Sequence, residues 1–134
     1  MEIFEAFTAH LLAQTGLTAL IGDRIYPYEA SEGDPLPYIV YQNISDVKNH
    51  TLEGQNAFEN PVYQFTVYDS DPVTIKAIGR QIKAALSDYH GTMSGLNVQY
   101  IELLNELSSK YNNTDGSLNC YTLDLEYQIY FDYE

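Results

Sequence analysis

Ile21-Gly-Asp-Arg-Ile-Tyr-Pro-Tyr28, the polar run Glu29 to Asp34, and Pro35-Leu-Pro-Tyr-Ile-Val-Tyr41 together decide the fold of this 134-residue chain. The first part closes an N-terminal helix. Gly22 supplies the positive-φ backbone that a helix end favours, and Pro27 forbids the helix from resuming. The last part opens a sheet. Pro35 and Pro37 stand where a strand begins and a missing N–H is tolerated, and Tyr38 to Tyr41 are aromatic and β-branched. Asp23 and Arg24 are placed to form a local pair that stiffens the crossing loop between the two.

Upstream, Ile3, Phe4, Phe7, Leu11 and Leu12 fall at the spacing of one helical stripe within residues 2 to about 14, with Glu2 and Glu5 in the first turn, where the helix dipole favours acids. Gly16 breaks this helix, and Leu17 to Ile21 add a short turn. Downstream, Tyr38 to Ile44 form a first strand. Ser45 to Asn60 show no hydrophobic period and read as a long, mobile hairpin loop, either one that orders on a partner or a merely disordered hairpin tip. Pro61 to Asp69 alternate as a half-buried strand, with Tyr63, Phe65 and Val67 on one side.

Asp69-Ser-Asp-Pro72 then caps a second helix, with Pro72 in its first turn and Asp71 or Ser70 as the cap. Ile75, Ile78, Ile82, Leu86 and Tyr89 make its apolar stripe. On another face of the same helix Lys76, Arg80 and Lys83 fall in line, half of the chain's six basic residues. The line reads either as a solvated face or as a docking surface for an acidic neighbour. Leu96 to about Leu104 reads as a strand, while Ile101 to Leu107 reads equally as a helical turn. Asn112 to Gly116 is a turn signal of the Asp-Gly type. In the final strand Tyr121, Leu123, Leu125, Tyr127, Ile129 and Phe131 point one way. Thr122, Asp124, Glu126, Gln128, Tyr130 and Asp132 point the other, so one face belongs to the core and one to water or a partner.

The expected class is α+β: a single domain over residues 1–134, an antiparallel sheet of about four strands with two helices on one face, in the order α-β-β-α-β-β. With 45% hydrophobic residues the chain has enough apolar matter for a core. No apolar run approaches the ~20 residues that span a bilayer, and the start does not read as a signal peptide, so the chain is expected to remain in the cytoplasm without membrane contact. The lone Cys120 is expected to be a buried small hydrophobe.

Six basic residues against nineteen acidic give a net charge of −13, which argues against holding nucleic acid by its phosphates. It does not argue against standing beside DNA that must slide past. Thirteen tyrosines and no tryptophan suit sheet faces and subunit interfaces. His10, His50 and His90 make no metal motif, and Asp69-x-Asp71 lacks the further oxygens of a cation loop. Neither a nucleophile elbow nor a phosphate-binding glycine loop occurs. The expectation is a protein that is not an enzyme and carries no cofactor or metal.

The N-terminal helix, the Gly22-Asp-Arg-Ile-Tyr-Pro27 segment, the polar loop and the Leu36-Pro-Tyr-Ile-Val-Tyr41 strand together resemble the tail completion, or tail terminator, proteins of long-tailed bacteriophages. Gly22, Asp23, Arg24, Tyr26, Pro27, Pro37 and Tyr38 carry this resemblance and are read as structural. It extends more weakly to the strand ending Val67-Tyr-Asp-Ser70, the helix after it and the tyrosine-rich last strand. It implies a ring-forming virion subunit, a homohexamer when assembled, that caps the head-proximal end of the tail tube and meets the connector or stopper protein below the head. DNA would pass through without specific binding.

On this reading Lys76, Arg80 and Lys83 against Asp124 and Glu126 are candidate subunit contacts. Lys48, His50, Leu52, Glu53 and Phe58 are candidate tube-docking residues, and the free protein is expected to be a monomer with Ser45 to Asn60 disordered. Two alternatives remain: a small acidic protein that mimics DNA, and another connector or stopper component of similar fold.

Overall fold

The computed structural model describes residues 3–30, 35–47, 50–51, 54–55, 60–112 and 118–133, with side chains at 3–30, 35–44, 61–110 and 120–131. The elements run α1 (Ile3–Leu12), α2 (Thr15–Ile21), β1 (Ile25–Pro27), β2 (Tyr38–Val47), β3 (His50–Thr51), β4 (Gly54–Gln55), β5 (Asn60–Asp69), α3 (Pro72–Leu86), β6 (Gly91–Met93), β7 (Leu96–Asn112) and β8 (Leu118–Tyr133). A six-stranded sheet has the order β1-β2-β5-β8-β7-β6, and β3 with β4 forms a separate two-stranded pair. All neighbours in the large sheet are antiparallel except β1, which runs parallel to β2.

The expected α+β class holds, but the sheet has six strands rather than four, is not wholly antiparallel, and there are three helices rather than two. The additions are short. β1 and β6 span three residues each, too few for alternation to register in the sequence. Leu17 to Ile21, expected as a turn, belong to the seven-residue α2, whose last carbonyls are met at Gly22: its N–H donates to the Thr18 carbonyl at 2.8 Å. Gly22 has φ 64° and ψ −125°, a backbone in which a side chain would be strained.

Residues 96–112 form one strand, which settles the ambiguity between strand and helical turn. Bulges between Val98 and Tyr100 and between Leu103 and Asn105 shift its phase. Each inserts one residue and flips the alternation that follows. The residues facing the helices are therefore Val98, Ile101, Leu103, Glu106 and Ser108, at steps of three, two, three and two. That spacing fits neither a strand period of two nor a helical one, while the apolar residues Ile101, Leu104 and Leu107 fall at steps of three that read as a helical turn.

All three helices cover one face of the sheet. Phe7 of α1 meets Tyr63 and Phe65 edge-on, with ring centroids 5.1 and 5.4 Å apart, and Phe65 in turn meets Tyr127 at 6.0 Å. α3 opens as expected: the Asp71 carboxylate accepts from the Val73 N–H at 3.0 Å and the Thr74 hydroxyl at 3.1 Å. It buries Ile75, Ile78, Ile82 and Leu86. It ends at Leu86 rather than near Tyr89, because Asp88 turns to φ 61° and gives its N–H to the Ile101 carbonyl of β7. At Gly79 an added Cβ would lie 2.5 Å from Cδ2 of Leu123, so helix and sheet approach as closely as a hydrogen side chain allows.

One expected stripe divides. In α1 the line Ile3, Phe7, Leu11 is buried, whereas Phe4 and Leu12 are 40% and 37% exposed. Burial of Cys120 agrees with its expected role.

Candidate assembly surfaces

Alternation along β5 and β8 sends every second side chain away from the helices, onto a face that none of the three described helices covers. There Thr66 donates to the Asp124 carboxylate at 2.7 Å, and in register Gln64 stands beside Glu126 and Tyr68 beside Thr122. Tyr38 of β2 packs on Tyr68 at 5.1 Å and on Tyr26 of β1 at 5.9 Å. This open face is aromatic at its β1 side and acidic toward β8.

The basic line of α3 lies on the other side of the sheet, against the helix-facing residues of β7. Lys83 pairs with Glu106 at 3.0 Å, both about one-third exposed, and Lys76 donates to the Ser108 hydroxyl at 3.2 Å. Arg80 between them is exposed. Lys76, Arg80 and Lys83 therefore share one surface, and Asp124 and Glu126 share another, but the two sets cannot meet within one chain. A contact between them requires two copies.

The structural residues of the crossing loop act through the backbone. Arg24 Nε donates to the Pro37 carbonyl at 2.8 Å, so this guanidinium ties the loop to the strand opening instead of pairing with Asp23 next to it. Parallel pairing of β1 with β2 is secured where Ile39 N–H meets the Arg24 carbonyl at 3.0 Å and Tyr28 N–H meets the Tyr41 carbonyl at 2.7 Å. Pro27 closes β1, and Tyr38 opens β2.

The segment read as a structureless loop is largely paired where it is described. β2 and β5 continue past Val62, the last residue that β5 pairs with β8, through Asp46↔Pro61 and Val47↔Asn60. His50 pairs with Gln55 in the separate β3–β4 pair. Lys48, Leu52, Glu53 and Phe58 lie outside the described residues.

Two surfaces escaped the sequence reading. One is a groove of about 450 Å³ between α1 and β1, lined by Phe4, Glu5, Thr8, Ala9, Leu12, Ile25, Pro27 and Tyr41. Its signal was present: Phe4, Thr8 and Leu12 form their own line at steps of four, beside the buried one. The other is the outer edge of β7. β6 pairs with it only up to Val98, and beyond that point Tyr100 and Leu107, in register with Tyr130 and Asp124 on the open face, and Leu104 at a bulge are exposed at 40%, 56% and 46%.

Ionisable groups here serve structure. Burial pushes the Tyr127 hydroxyl up to about 12, opposed by its hydrogen bond with Ser87. Burial also raises Tyr41, whose hydroxyl meets Thr8 at 2.7 Å and the Phe4 carbonyl at 3.0 Å. The Cys120 thiol is raised by burial and then by the charge of Asp69. His10 contacts the Ala85 carbonyl at 2.9 Å and the ring of Tyr89. Among the described residues no group of three or more His, Cys, Asp or Glu is placed to hold a metal, and no helix is long and apolar enough to cross a membrane.

The family model described as tail completion protein gp17 matches residues 5–130. No curated protein matches the chain. Among solved structures, a chain from the virion of a native gene transfer agent particle superposes with a TM-score of 0.71 at 18% identity, with 95% of each chain covered. At that identity the likeness speaks for the fold.

Proposed function

We propose, from the premise that this chain belongs to the tail completion protein gp17 family, a family of structural virion proteins, that it is a ring-forming subunit capping the head-proximal end of the phage tail tube. The family match across residues 5–130 carries this reading. In it, the ring stops tube polymerisation and joins the tail to the connector or stopper protein of the head.

The surfaces support it physically. A closed ring needs two different patches per subunit that meet head to tail. The Lys76, Arg80, Lys83 line and the Asp124, Glu126 face are opposite in charge and point to opposite sides, as such a pair must. The β2–β5 arm beyond Val62 is a two-stranded ribbon, and a ribbon of that kind is marginal in water without something to pack on. It is the element proposed to dock on the tube, and Lys48, His50, Leu52, Glu53 and Phe58, which belong to the same stretch of sequence, are the proposed docking residues. Six copies at −13 each carry −78 formal charges, so acids around the opening would repel phosphate and let DNA pass with few contacts to break.

The test mixes purified protein with purified tail tubes and looks by negative-stain microscopy for a cap at one end. Capped tubes that no longer elongate are expected. Tubes that accept another natural partner but neither bind this protein nor stop growing would overturn the proposal. Deleting part of Ser45 to Asn60 is expected to abolish capping and leave the fold intact.

A further inference from the structure

We infer that the aromatic end of the open face holds a cavity for an arginine side chain, and that this arginine belongs to a protein other than this chain. The cavity measures about 260 Å³, and its walls include Tyr28, Glu29, Tyr38, Val40, Tyr68 and Cys120. It falls just short of the ~300–1,000 Å³ that holds a drug-sized ligand and suits one long side chain. It is complete within one chain and needs no ring.

Strand register builds it. Tyr38 and Val40 of β2 stand opposite Tyr68 and Thr66 of β5, and Cys120 is one alternation beyond Thr122, the partner of Tyr68 in β8. The Tyr38 ring is held between Tyr68, at 5.1 Å, and Tyr26, at 5.9 Å. Tyr28 completes the wall from φ 67°, a backbone that a bulky residue rarely adopts. Two hydrogen bonds fix that turn: the Tyr28 N–H donates to the Tyr41 carbonyl at 2.7 Å and the Glu29 N–H to the Pro27 carbonyl at 2.8 Å. Yet Tyr28 is 66% exposed. Strain that buries nothing in the free chain marks a residue shaped for a ligand.

The lining selects a cation. Tyrosine rings present a negative π face and Glu29 adds a full charge, while among the described residues no Lys or Arg lines the cavity. A guanidinium is flat, weakly hydrated and stacks on aromatic rings, and its apolar stem suits Val40 and Cys120; an ammonium holds its water more strongly. The chain itself is a poor source of arginine. It has two: Arg24 is engaged with the Pro37 carbonyl, and Arg80 lies in the line that the proposed ring sets against Asp124 and Glu126. A basic partner is also what a chain of net −13 attracts.

The test titrates the isotope-labelled full chain, at physiological ionic strength, with the peptide acetyl-Gly-Arg-Gly-amide and with its citrulline and lysine counterparts. Citrulline keeps the shape of arginine and loses the charge. The arginine peptide is expected to shift the backbone amide resonances of Glu29, Val40 and Tyr68 saturably, and the citrulline peptide to bind about fivefold more weakly, with lysine between them. Tyr28→Ala and Glu29→Gln, both at exposed positions, are each expected to weaken the arginine peptide roughly two- to fivefold and to leave the rest of the spectrum unchanged. Equal binding of all three peptides would overturn the inference. So would the absence of any saturable shift, or shifts centred on Asp124 and Glu126 that neither variant alters. Shifts at the same three residues when the chain is concentrated without peptide would assign the cavity to a second copy and overturn the outside partner.

Discussion

The two faces of the sheet share strands, backbone and register, yet one is a core and the other is a surface. Along β8 the odd-numbered residues from Leu123 to Phe131 are buried beneath the helices, while the even-numbered residues from Thr122 to Tyr130 remain half-buried. The difference lies in what each face can do with a polar atom. Beneath the helices a polar group is tolerated only where a specific partner waits, as Ser87 waits for Tyr127. On the open face water completes whatever the protein leaves unmet, so Asp124, Glu126 and Gln128 sit side by side. A face built that way can later be covered by another protein that brings its own partners.

The largest expected contrast between the faces comes from truncating neighbours on one strand. Phe65→Ala removes a ring packed on Phe7 and Tyr127 and is expected to cost about 3–5 kcal/mol. Gln64→Ala, one residue away on the open face, should stay within about 0.5 kcal/mol. Urea unfolding of both variants measures the gap, and equal losses would erase the distinction.

Alkali sharpens the contrast next. Tyr127 has a folded pKa of about 12, above the ordinary value of about 10 for tyrosine. The neutral hydroxyl is favoured by folding, so this contribution is complete below pH 10 and is lost as pH rises from 10 through 12. A fall of about 2 kcal/mol is expected across that window from this residue. Unfolding free energies at pH 9 and above pH 11 should differ less for Tyr127→Phe than for the native chain; an identical pH slope would mean that Tyr127 does not set it.

The smallest effect belongs to the open face. Thr66→Val removes the hydrogen bond to Asp124 where water can replace it, and a loss of about 0.5–1 kcal/mol is expected. A loss as large as that of Phe65→Ala would show that the open face is not solvated in the free chain.

The sequence made legible the elements whose side chains obey one period for long enough. β5, β8 and α3 were readable from Tyr63-x-Phe65-x-Val67, from the alternation after Tyr121, and from Ile75, Ile78, Ile82 and Leu86. Two things hid the rest. β1 and β6 are shorter than any period, and the bulges in β7 broke the alternation by two that marks a strand. The polar composition of Ser45 to Asn60, which carries no hydrophobic period, concealed the pairing of β2 with β5 as far as Val47 and Asn60 and of β3 with β4. Of the assembly surfaces, the basic line of α3 was visible as spacing. Its separation from Asp124 and Glu126 by the thickness of the sheet was not, since faces are assigned only once the strands are ordered. The groove was missed because Phe4 and Leu12 were credited to the core.

The bulges in β7 and the proline that ends β1 also govern what the free subunits do not do. A sheet edge that is long, flat and regular is a template on which identical chains add strand after strand. Here β1 offers three residues and stops at Pro27, and β7 changes phase at Val98/Tyr100 and again at Leu103/Asn105. Neither β1 nor the bulged part of β7 offers a second copy one long, regular register through its backbone. Copies that accumulate before use are thus left to meet through side chains, whose fit can close on itself, rather than through hydrogen-bond ladders, which extend without limit.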